Sequence, residues 1–321
     1  MLGVVDKSVT LPRAVRTGAL SGKKVLVVGG TAGIGAGIAK TCAAAGASVT
    51  VFGRTQRDAS IPFVKADLSL MATAQRVAKE MRAEDCDVLV FTNGIVPGNK
   101  REATAEGVEM DMAASALCRY VMLKEIAPRL KPSARVLIWG FPGSDNGGYL
   151  AKTTLSDFNS EQNFHGGFEG PHMNTVALNE ALVLHFAVQG LRTAGYNPGL
   201  VVTDIRKPVH GGGADSCLEA CVVRHCASGL LVEEYVNNIL YTLSVDFQPG
   251  QMFHQSGAPL KQSPQFTPEL TAKWIAAAEN LAAKAQRGAG GQRRGQGVAN
   301  SGKWMQLRRA GGSAARPQCA H

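Results

Sequence analysis

One stretch near the N-terminus constrains the fold most, because a buried strand, a glycine cluster and a helix follow one another between Lys24 and Ala47. Val25 to Val28 is an apolar, β-branched run, the pattern of a strand buried on both faces. After the glycines, Ile34, Ile38 and Cys42 recur at helical spacing. A helix that begins at a glycine turn offers unpaired N–H groups and a positive dipole end, which attract a phosphate. The stretch therefore predicts a dinucleotide-binding βα unit.

The spacing of the glycines resembles that of a known family. Gly29, Gly33 and Gly35 follow a G-x-x-x-G-x-G pattern, which differs from the G-x-G-x-x-G fingerprint. The stretch GGTAGIG is similar to the TGxxxGIG turn of the short-chain dehydrogenase/reductase family. The resemblance implies an α/β fold: a Rossmann doubly wound parallel sheet of about seven strands with helices on both faces. It also implies cofactor contacts from the residues of the turn, which are Gly29, Thr31, Ala32, Gly33, Ile34 and Gly35.

Composition and charge divide the 321 residues into three parts. We expect an irregular lead-in over residues 1–22, a single NAD(P)-binding Rossmann domain over 23–285 and a basic tail over 286–321. Most of the net charge of +9 comes from the end of the chain, because eight basic residues and no Asp or Glu follow from Lys284 onward and the rest of the chain is nearly neutral. A Gly/Ala/Arg-rich segment cannot build a core, so we expect this tail to be disordered. A nucleic-acid or anionic-membrane contact of the tail is the less favoured alternative.

Apolar runs and cysteines predict the cellular context. No apolar run is long enough for a membrane span, and the N-terminus lacks the apolar core of a secretory signal. Seven scattered cysteines are typical of reduced thiols, so we expect a cytoplasmic protein. Arg13 and Arg16 leave an organelle presequence open. Cys217, Cys221 and His225 share one face of a predicted helix, but we interpret them as packed residues and expect no metal.

The end of the second strand bears on the choice between NAD and NADP. Ala47 to Phe52 is the predicted strand, and Gly53 and Arg54 follow it with no acid nearby. In a dinucleotide fold this strand end faces the adenosine ribose. A guanidinium can bind a 2′-phosphate through two hydrogen bonds, so Arg54 favours NADP(H) over NAD(H). The alternative is an exposed arginine in a turn.

Three more segments resemble cofactor-contacting parts of the family. Asp67 and Leu68 close the third predicted strand, where the family places residues near the adenine. Asn93 and Gly94 follow the fourth strand and are similar to the end of the family's NNAG turn. The stretch NPGLVVT after the sixth strand resembles the family's PGxxxT segment at the nicotinamide and pyrophosphate, which implies contacts from Pro198, Gly199 and Thr203.

The catalytic half of the chain departs from the family pattern. A long helix is predicted from Glu102 to Leu130, with Ser115 where the family has a catalytic Asn. The family's catalytic Ser falls near Phe141, with Ser144 displaced from it. On the next predicted helix, Pro171 to Leu191, the family's Tyr and Lys positions hold His172 and Val176, while Asn179 resembles an Asn of the retinol-dehydrogenase-like branch. The resemblance therefore implies a degenerate triad.

Two candidate proton donors and two functions remain open. Either His172 or Tyr149, which has Lys152 three residues later, could donate the proton. The first hypothesis is an NADP(H)-dependent oxidoreductase that acts on a small carbonyl or alcohol substrate with non-standard catalytic residues. The second is a non-catalytic dinucleotide-binding sensor or scaffold. The resemblance also implies a homodimer formed through the long helices, and a substrate lid from Ile205 to Asp215.

Overall fold

The computed structural model describes residues 4–11, 18–140, 149–164, 171–206 and 229–304, with side chains up to residue 287. These residues form one eight-stranded sheet in the order β3-β2-β1-β4-β5-β6-β7-β8. Only the pairing of β7 with β8 is antiparallel. The strands are β1 (Lys24–Val28), β2 (Ser48–Gly53), β3 (Phe63–Lys65), β4 (Val88–Phe91), β5 (Arg135–Trp139), β6 (Arg192–Tyr196), β7 (Gln251–Phe253) and β8 (Pro259–Leu260).

The described α-helices cover both faces of this sheet. Two of them, α3 and α4, form one continuous helix through a π-helical turn at Ala113–Leu117. None of the helices that the structure describes combines the length and apolarity needed to span a bilayer. The helices are α1 (Gly33–Ala44), α2 (Met71–Glu80), α3 (Met110–Met112), α4 (Cys118–Ile126), α5 (Pro171–Val188), α6 (Val232–Ile239) and α7 (Pro268–Trp304).

Two apolar clusters, one on each side of the sheet, form the core. On one side, alternate strand residues such as Val25, Val27 and Val90 pack with α1 and α6. On the other side, residues such as Leu89 and Ile138 pack with α2, α4, α5 and α7. Buried parallel strands whose residues pack on both faces read as continuous apolar runs, which is why the sequence reveals them.

The strand order creates a crevice where the chain reverses direction across the sheet. β1 lies between β2 and β4, so the chain leaves β1 toward one edge and returns to β4 on the other side. Ligands of open α/β sheets bind at the carboxyl ends of the strands at such a switch point. A Cβ on Gly35 would lie 2.3 Å from the Gly29 carbonyl oxygen, so only glycine lets α1 begin this close to β1. The predicted βα unit is therefore confirmed at the switch point.

The structure corrects the length of the predicted helix over Glu102 to Leu130. Helix α3 begins only at Met110, because Gly107 has a φ of 77° and the Glu109 side chain caps the helix start by accepting from the N–H groups of Asp111 and Met112. The α-helix then ends at Ile126 and gives way to a 3-10 turn at Ala127–Arg129.

Other predicted boundaries also change. The sheet has eight strands where about seven were expected, because Pro259–Leu260 adds a short antiparallel edge. Helix α7 runs on to Trp304 where the prediction ended it near Ala285, and the sequence has no proline between Pro268 and Pro317. Tail residues from 305 onward lie outside the described residues, as do Phe141, Ser144, most of the predicted lid and the segment with Cys217, Cys221 and His225.

Candidate active site

A cavity opens at the carboxyl ends of β1, β4, β5 and β6, where segments from across the chain meet. Its wall is mostly apolar, with Ile95, Val176 and Val201 among its aliphatic residues. It brings together eight of the predicted site residues, which are Ile34, Asn93, Gly94, Ser115, His172, Pro198, Gly199 and Thr203. The sequence-predicted cofactor segments and two of the predicted catalytic residues therefore share one site.

The start of α1 fits a phosphate group. Its N-cap residue, Ala32, makes no side-chain hydrogen bond to the first turn, so the N–H groups there have no side-chain cap. Gly33 has a φ of 51°, and a Cβ at this position would lie 3.3 Å from the Thr203 methyl group. Gly29 has a φ of 85°, and a Cβ added at this position would lie 2.3 Å from the backbone nitrogen of Asn93. The turn thus exposes its backbone in the way that a dinucleotide pyrophosphate requires.

The ends of β2 and β3 form the outer part of the crevice. Arg54 is exposed immediately after β2, and a Cβ at Gly53 would lie 2.9 Å from the Thr31 hydroxyl oxygen, so the glycine turn and the β2 end are adjacent. Asp67 is exposed and its carboxylate accepts hydrogen bonds from the hydroxyl and N–H groups of Ser69. Leu68 beside it is buried. The arrangement leaves Arg54 accessible to a ligand that extends along the strand ends.

A chain of hydrogen bonds connects the predicted catalytic residues His172 and Ser115. His172 Nδ1 lies 2.8 Å from Asp111 Oδ2, and the Ser115 hydroxyl donates to Asp111 Oδ1 at 2.6 Å. The Ser115 oxygen in turn accepts from the Ile95 N–H at 2.9 Å. Asp111 is fully buried, and His172 is 8% exposed at the cavity wall. A carboxylate that accepts a hydrogen bond from Nδ1 fixes the orientation and the tautomer of an imidazole ring.

Local backbone geometry places these side chains. Ser115 lies in the π-helical turn, a type of distortion that is frequent at functional sites. Asp111 lies in the first turn of α3, where the capping carboxylate of Glu109 is close. Burial, followed by the nearby charge of Asp111, raises the pKa of Glu109 to about 7. The two acids at the start of this helix therefore have different hydrogen-bond partners. Asp111 contacts the His172 ring, whereas Glu109 accepts from backbone N–H groups.

A buried arginine, Arg119, forms the floor of the site. Its guanidinium donates to the carbonyl oxygens of Asn93 and Trp139, at the ends of β4 and β5, and to Asn179 Oδ1 on α5 at 2.8 Å. Only 2% of Arg119 is exposed, and this burial lowers its pKa to about 10. The side chain therefore keeps its charge at neutral pH and joins the two strand ends to α5.

Tyr149, another catalytic candidate, contacts a different part of α5. The Tyr149 hydroxyl donates to Glu180 Oε2 at 2.6 Å. Glu180 follows His172 by two turns of α5, roughly 12 Å along the helix axis. Tyr149 and Lys152 are not among the described residues that line the cavity, and Ser144 lies outside the described residues. The geometry therefore favours His172 over Tyr149 as the candidate proton donor.

Sequence reasoning missed Asp111 and Arg119. Both stand in the apolar stretch MDMAASALCRYVML, and both are buried. Asp and Arg are rarely buried unless they have partners. An Asp and an Arg within an otherwise apolar helix therefore indicate a buried polar site. The sequence does not indicate which residues contact them.

Comparisons with known proteins agree with this architecture. No family profile matches the sequence. An uncharacterized oxidoreductase of Saccharomyces cerevisiae is 34% identical over 280 residues, which cover 82% of this chain and 89% of the relative. The chain belongs to the short-chain dehydrogenase/reductase family.

Solved structures of this family share the fold. The ligand-free aldohexose dehydrogenase of Thermoplasma acidophilum matches with a TM-score of 0.52 at 15% identity, over 71% of this chain and 89% of that one. A short chain dehydrogenase of Salmonella enterica matches with a TM-score of 0.54 at 17% identity, over 75% and 99%. The short-chain dehydrogenase/reductase fold implies a nicotinamide dinucleotide, and the glycine turn fits it. The degenerate triad and the retinol-dehydrogenase-like branch stay predictions.

Replacement of Arg119 tests its part in the fold of the site. We expect Arg119→Met to lower the free energy of unfolding by about 2–4 kcal/mol, because the Asn93 and Trp139 carbonyls lose their donor. Urea denaturation measures this loss. Arg76→Met is the matched control, because Arg76 is exposed and pairs with Glu80 on the surface; a cost below about 1 kcal/mol is expected there. Equal, small losses in both variants would contradict the role of Arg119.

The raised pKa of Glu109 predicts a pH dependence of stability. The folded protein holds the Glu109 proton up to a pH near 7, whereas the unfolded chain releases it near 4.5. Stability should therefore fall as the pH rises between these values, on the order of 3 kcal/mol from this group. Glu109→Gln should remove that slope in urea denaturation between pH 5 and 7.5.

The control for this experiment is Glu106→Gln. Glu106 also accepts from helix N-terminal N–H groups, those of Met71 and Ala72, but it is partly exposed. This variant leaves Glu109 in place, so a slope that Glu109 carries should persist in it. A slope that persists in Glu109→Gln would show that another group carries it.

Proposed function

We propose that this protein is an NADP(H)-dependent oxidoreductase that interconverts a carbonyl compound and its alcohol, with His172 as the proton donor and acceptor. The observation that carries the proposal is the hydrogen-bonded chain of His172, Asp111 and Ser115 in a cavity that also contains cofactor-turn residues. Gly94 and Gly199 line that same cavity. This shared lining supports a proton-transfer group close to the expected position of the nicotinamide.

His172 supplies the proton chemistry in this proposal. When bound, the nicotinamide gives a hydride to the carbonyl carbon or takes one from the alcohol carbon. In the reductive direction the His172 imidazolium donates its Nε2 proton to the carbonyl oxygen, and the resulting neutral ring is reprotonated from solvent. In the oxidative direction the neutral ring accepts the hydroxyl proton. An imidazole suits both directions because its ordinary pKa lies near neutrality.

Asp111 and Arg119 prepare the site for this transfer. The Asp111 carboxylate orients the ring through Nδ1 and stabilises its positive charge. Arg119 brings a fixed positive charge to the cavity wall, which favours the negative charge that develops on the substrate oxygen. Aliphatic side chains such as Ile95, Val96 and Val176 keep the surroundings apolar, which strengthens both interactions.

The related proteins support the class of reaction. The Saccharomyces cerevisiae relative is named an oxidoreductase, and the Thermoplasma acidophilum structure is a dehydrogenase of aldohexoses. Both names are compatible with a reaction between a carbonyl and an alcohol. A cytoplasmic location remains a prediction that goes with this function.

A second candidate is a dinucleotide-binding sensor or scaffold without turnover. The observation in its favour is Val176, which lines the cavity where the family resemblance places the catalytic Lys. In that case NADPH binds, but no member of a carbonyl and alcohol panel is converted. In the oxidoreductase case, at least one panel member changes the NADPH absorbance.

Arg54 supports the preference for NADP(H), because it is exposed after β2 with no acid beside it. Arg54→Asp should weaken NADPH binding about ten- to hundredfold through the loss of a charge-assisted contact. Calorimetric titrations with NADPH and NADH measure the change, and NADH affinity should not fall. Arg76→Asp is the control and should bind like the wild type, because Arg76 is an exposed arginine of α2 that pairs with Glu80. Unchanged NADPH affinity in Arg54→Asp would refute the assignment.

Variants of His172 test the proposed proton donor. His172→Ala should lower kcat by about 10²- to 10⁴-fold with little change in NADPH affinity, because general acid–base catalysis contributes about that much. Asp111→Asn should lower kcat less, and adding it to His172→Ala should cause little further loss, since the two residues act as one unit. Rates follow NADPH absorbance and affinities follow calorimetry.

Tyr149→Phe is the comparison for this series. It removes one hydroxyl from a buried position outside the cavity, so kcat should remain near the wild-type value. A large loss in Tyr149→Phe together with full activity in His172→Ala would transfer the donor role to Tyr149.

A further inference from the structure

The polar side chains that follow β4 line the cavity, but their donors point into the protein. The Thr92 hydroxyl donates to the Val28 carbonyl oxygen, and the Asn93 amide donates to the Ala114 carbonyl oxygen. The Asn93 amide oxygen is buried, with no hydrogen-bond partner in the described part of the chain. These side chains are therefore committed to the fold, since their donors are already bonded to backbone oxygens.

The polar side chains that the helices contribute to the wall are committed in a similar way. The Asn179 amide donates to the carbonyl oxygens of Ser115 and Thr175. Its own oxygen accepts from Arg119, whose guanidinium also donates to two strand-end carbonyls. The Thr175 hydroxyl oxygen and the Arg119 Nε are shielded from solvent, so a molecule in the cavity does not reach them in this arrangement.

Two further polar side chains of the described wall have assigned roles. In the proposed function, the His172 imidazole contacts the reacting oxygen of the substrate. Thr203 lies against the glycine turn, because a Cβ at Gly33 would lie 3.3 Å from its methyl group, and the family resemblance assigns Thr203 to the cofactor. The described side chains therefore offer hydrogen bonds to one substrate oxygen rather than to several.

Aliphatic side chains form the wall close to the proposed proton donor. The Ile95 N–H donates to the Ser115 hydroxyl oxygen at 2.9 Å. That hydroxyl donates to Asp111, which contacts the His172 ring. Ile95 and the neighbouring Val96 both line the cavity. Groups attached to the carbonyl carbon of a substrate would therefore pack against these aliphatic side chains.

We infer that the substrate is an uncharged carbonyl compound, or its alcohol, whose reacting carbon carries hydrocarbon groups, and that Ile95 selects it. The inference rests on the proposed function, because it takes His172 as the group that contacts the reacting oxygen. A polyol of the same skeleton would bury hydroxyl groups against Ile95 and Val96 without partners, which costs binding free energy. A carboxylate would lack two free N–H groups on Arg119 for a bidentate contact.

Three alcohols with one ring skeleton test the substrate class in the full-length protein. Cyclohexanol, cis-1,2-cyclohexanediol and myo-inositol differ in the number of hydroxyl groups. With NADP⁺, oxidation of cyclohexanol gives cyclohexanone, NADPH and a proton, and the absorbance of NADPH follows the rate. We expect kcat/KM to be about tenfold lower for the diol than for cyclohexanol, and lower still for inositol. An equal or higher value for the diol or inositol would overturn the inference and leave the oxidoreductase activity intact.

A second pair of compounds tests the absence of charge. With NADPH, 3-methylcyclohexanone should be reduced with a kcat/KM at least about tenfold above that of 3-oxocyclohexanecarboxylate. A preference for the carboxylate would overturn the uncharged class.

Binding without turnover separates this inference from the proposed function. An alcohol cannot react in the NADPH complex, so saturation-transfer NMR of that complex measures binding alone. Cyclohexanol should give a clear signal and myo-inositol should not. If no compound is turned over but this binding preference is seen, the proposed function fails and the ligand class stands. If cyclohexanol does not bind, or inositol binds as well, the inference is wrong.

Matched variants test the role of Ile95. Ile95→Thr keeps the β-branch and adds a hydroxyl to the wall, so the preference for cyclohexanol over the diol should shrink at least about threefold. Ile61 is buried before β3 and is not among the described lining residues, so Ile61→Thr should keep the wild-type preference. An unchanged preference in a folded Ile95→Thr would overturn the role of Ile95. Circular dichroism identifies an unfolded variant, and the wild-type measurements then decide.

Discussion

The geometry of the site depends on the hydrogen bonds of one buried cation. Arg119 donates to the ends of two adjacent strands, at Asn93 and Trp139, and to Asn179 on α5. Burial lowers the pKa of Arg119 to about 10, which still leaves it charged at neutral pH. Among the described residues its hydrogen bonds go to two carbonyl oxygens and an amide oxygen, and the nearby charge of Asp111 also favours the charged form. The arginine therefore joins the turn at Asn93, after β4, to α5, the helix of His172.

That arrangement brings together two polar side chains from different helices. Asp111 belongs to α3 and His172 to α5, 61 residues later, yet their side-chain atoms lie 2.8 Å apart. A Tyr and a Lys four residues apart on one helix are aligned by helix geometry alone. The His172–Asp111 pair has no such local constraint, so its distance depends on how α4 and α5 pack. The contact of Arg119 with Asn179 fixes that packing.

Local patterns in the sequence predicted individual strands and helices well, because each pattern depends on neighbours in the chain, whereas the doubly wound sheet was predicted from the family resemblance. The strand at Val25 to Val28, its glycine turn and α1 are one such pattern. Similar patterns predicted the positions of the later strands along the chain, up to β7. The contact between Asp111 and His172 depends on tertiary packing, which periodicity does not contain. Proximity in sequence does not place residues in the cavity either, since Tyr149 and Lys152 are close in sequence but are not among the described residues that line it.

The same distinction applies to the C-terminal helix. The segment from Thr271 to Ala285 is amphipathic, so its sequence predicts a helix with one buried face. Pattern alone does not indicate which elements that face contacts. In the structure the Trp274 ring packs against Phe158, and Glu279 pairs with Lys124 on α4. The presence of a buried face therefore follows from local pattern, whereas the surface that buries it depends on the whole fold.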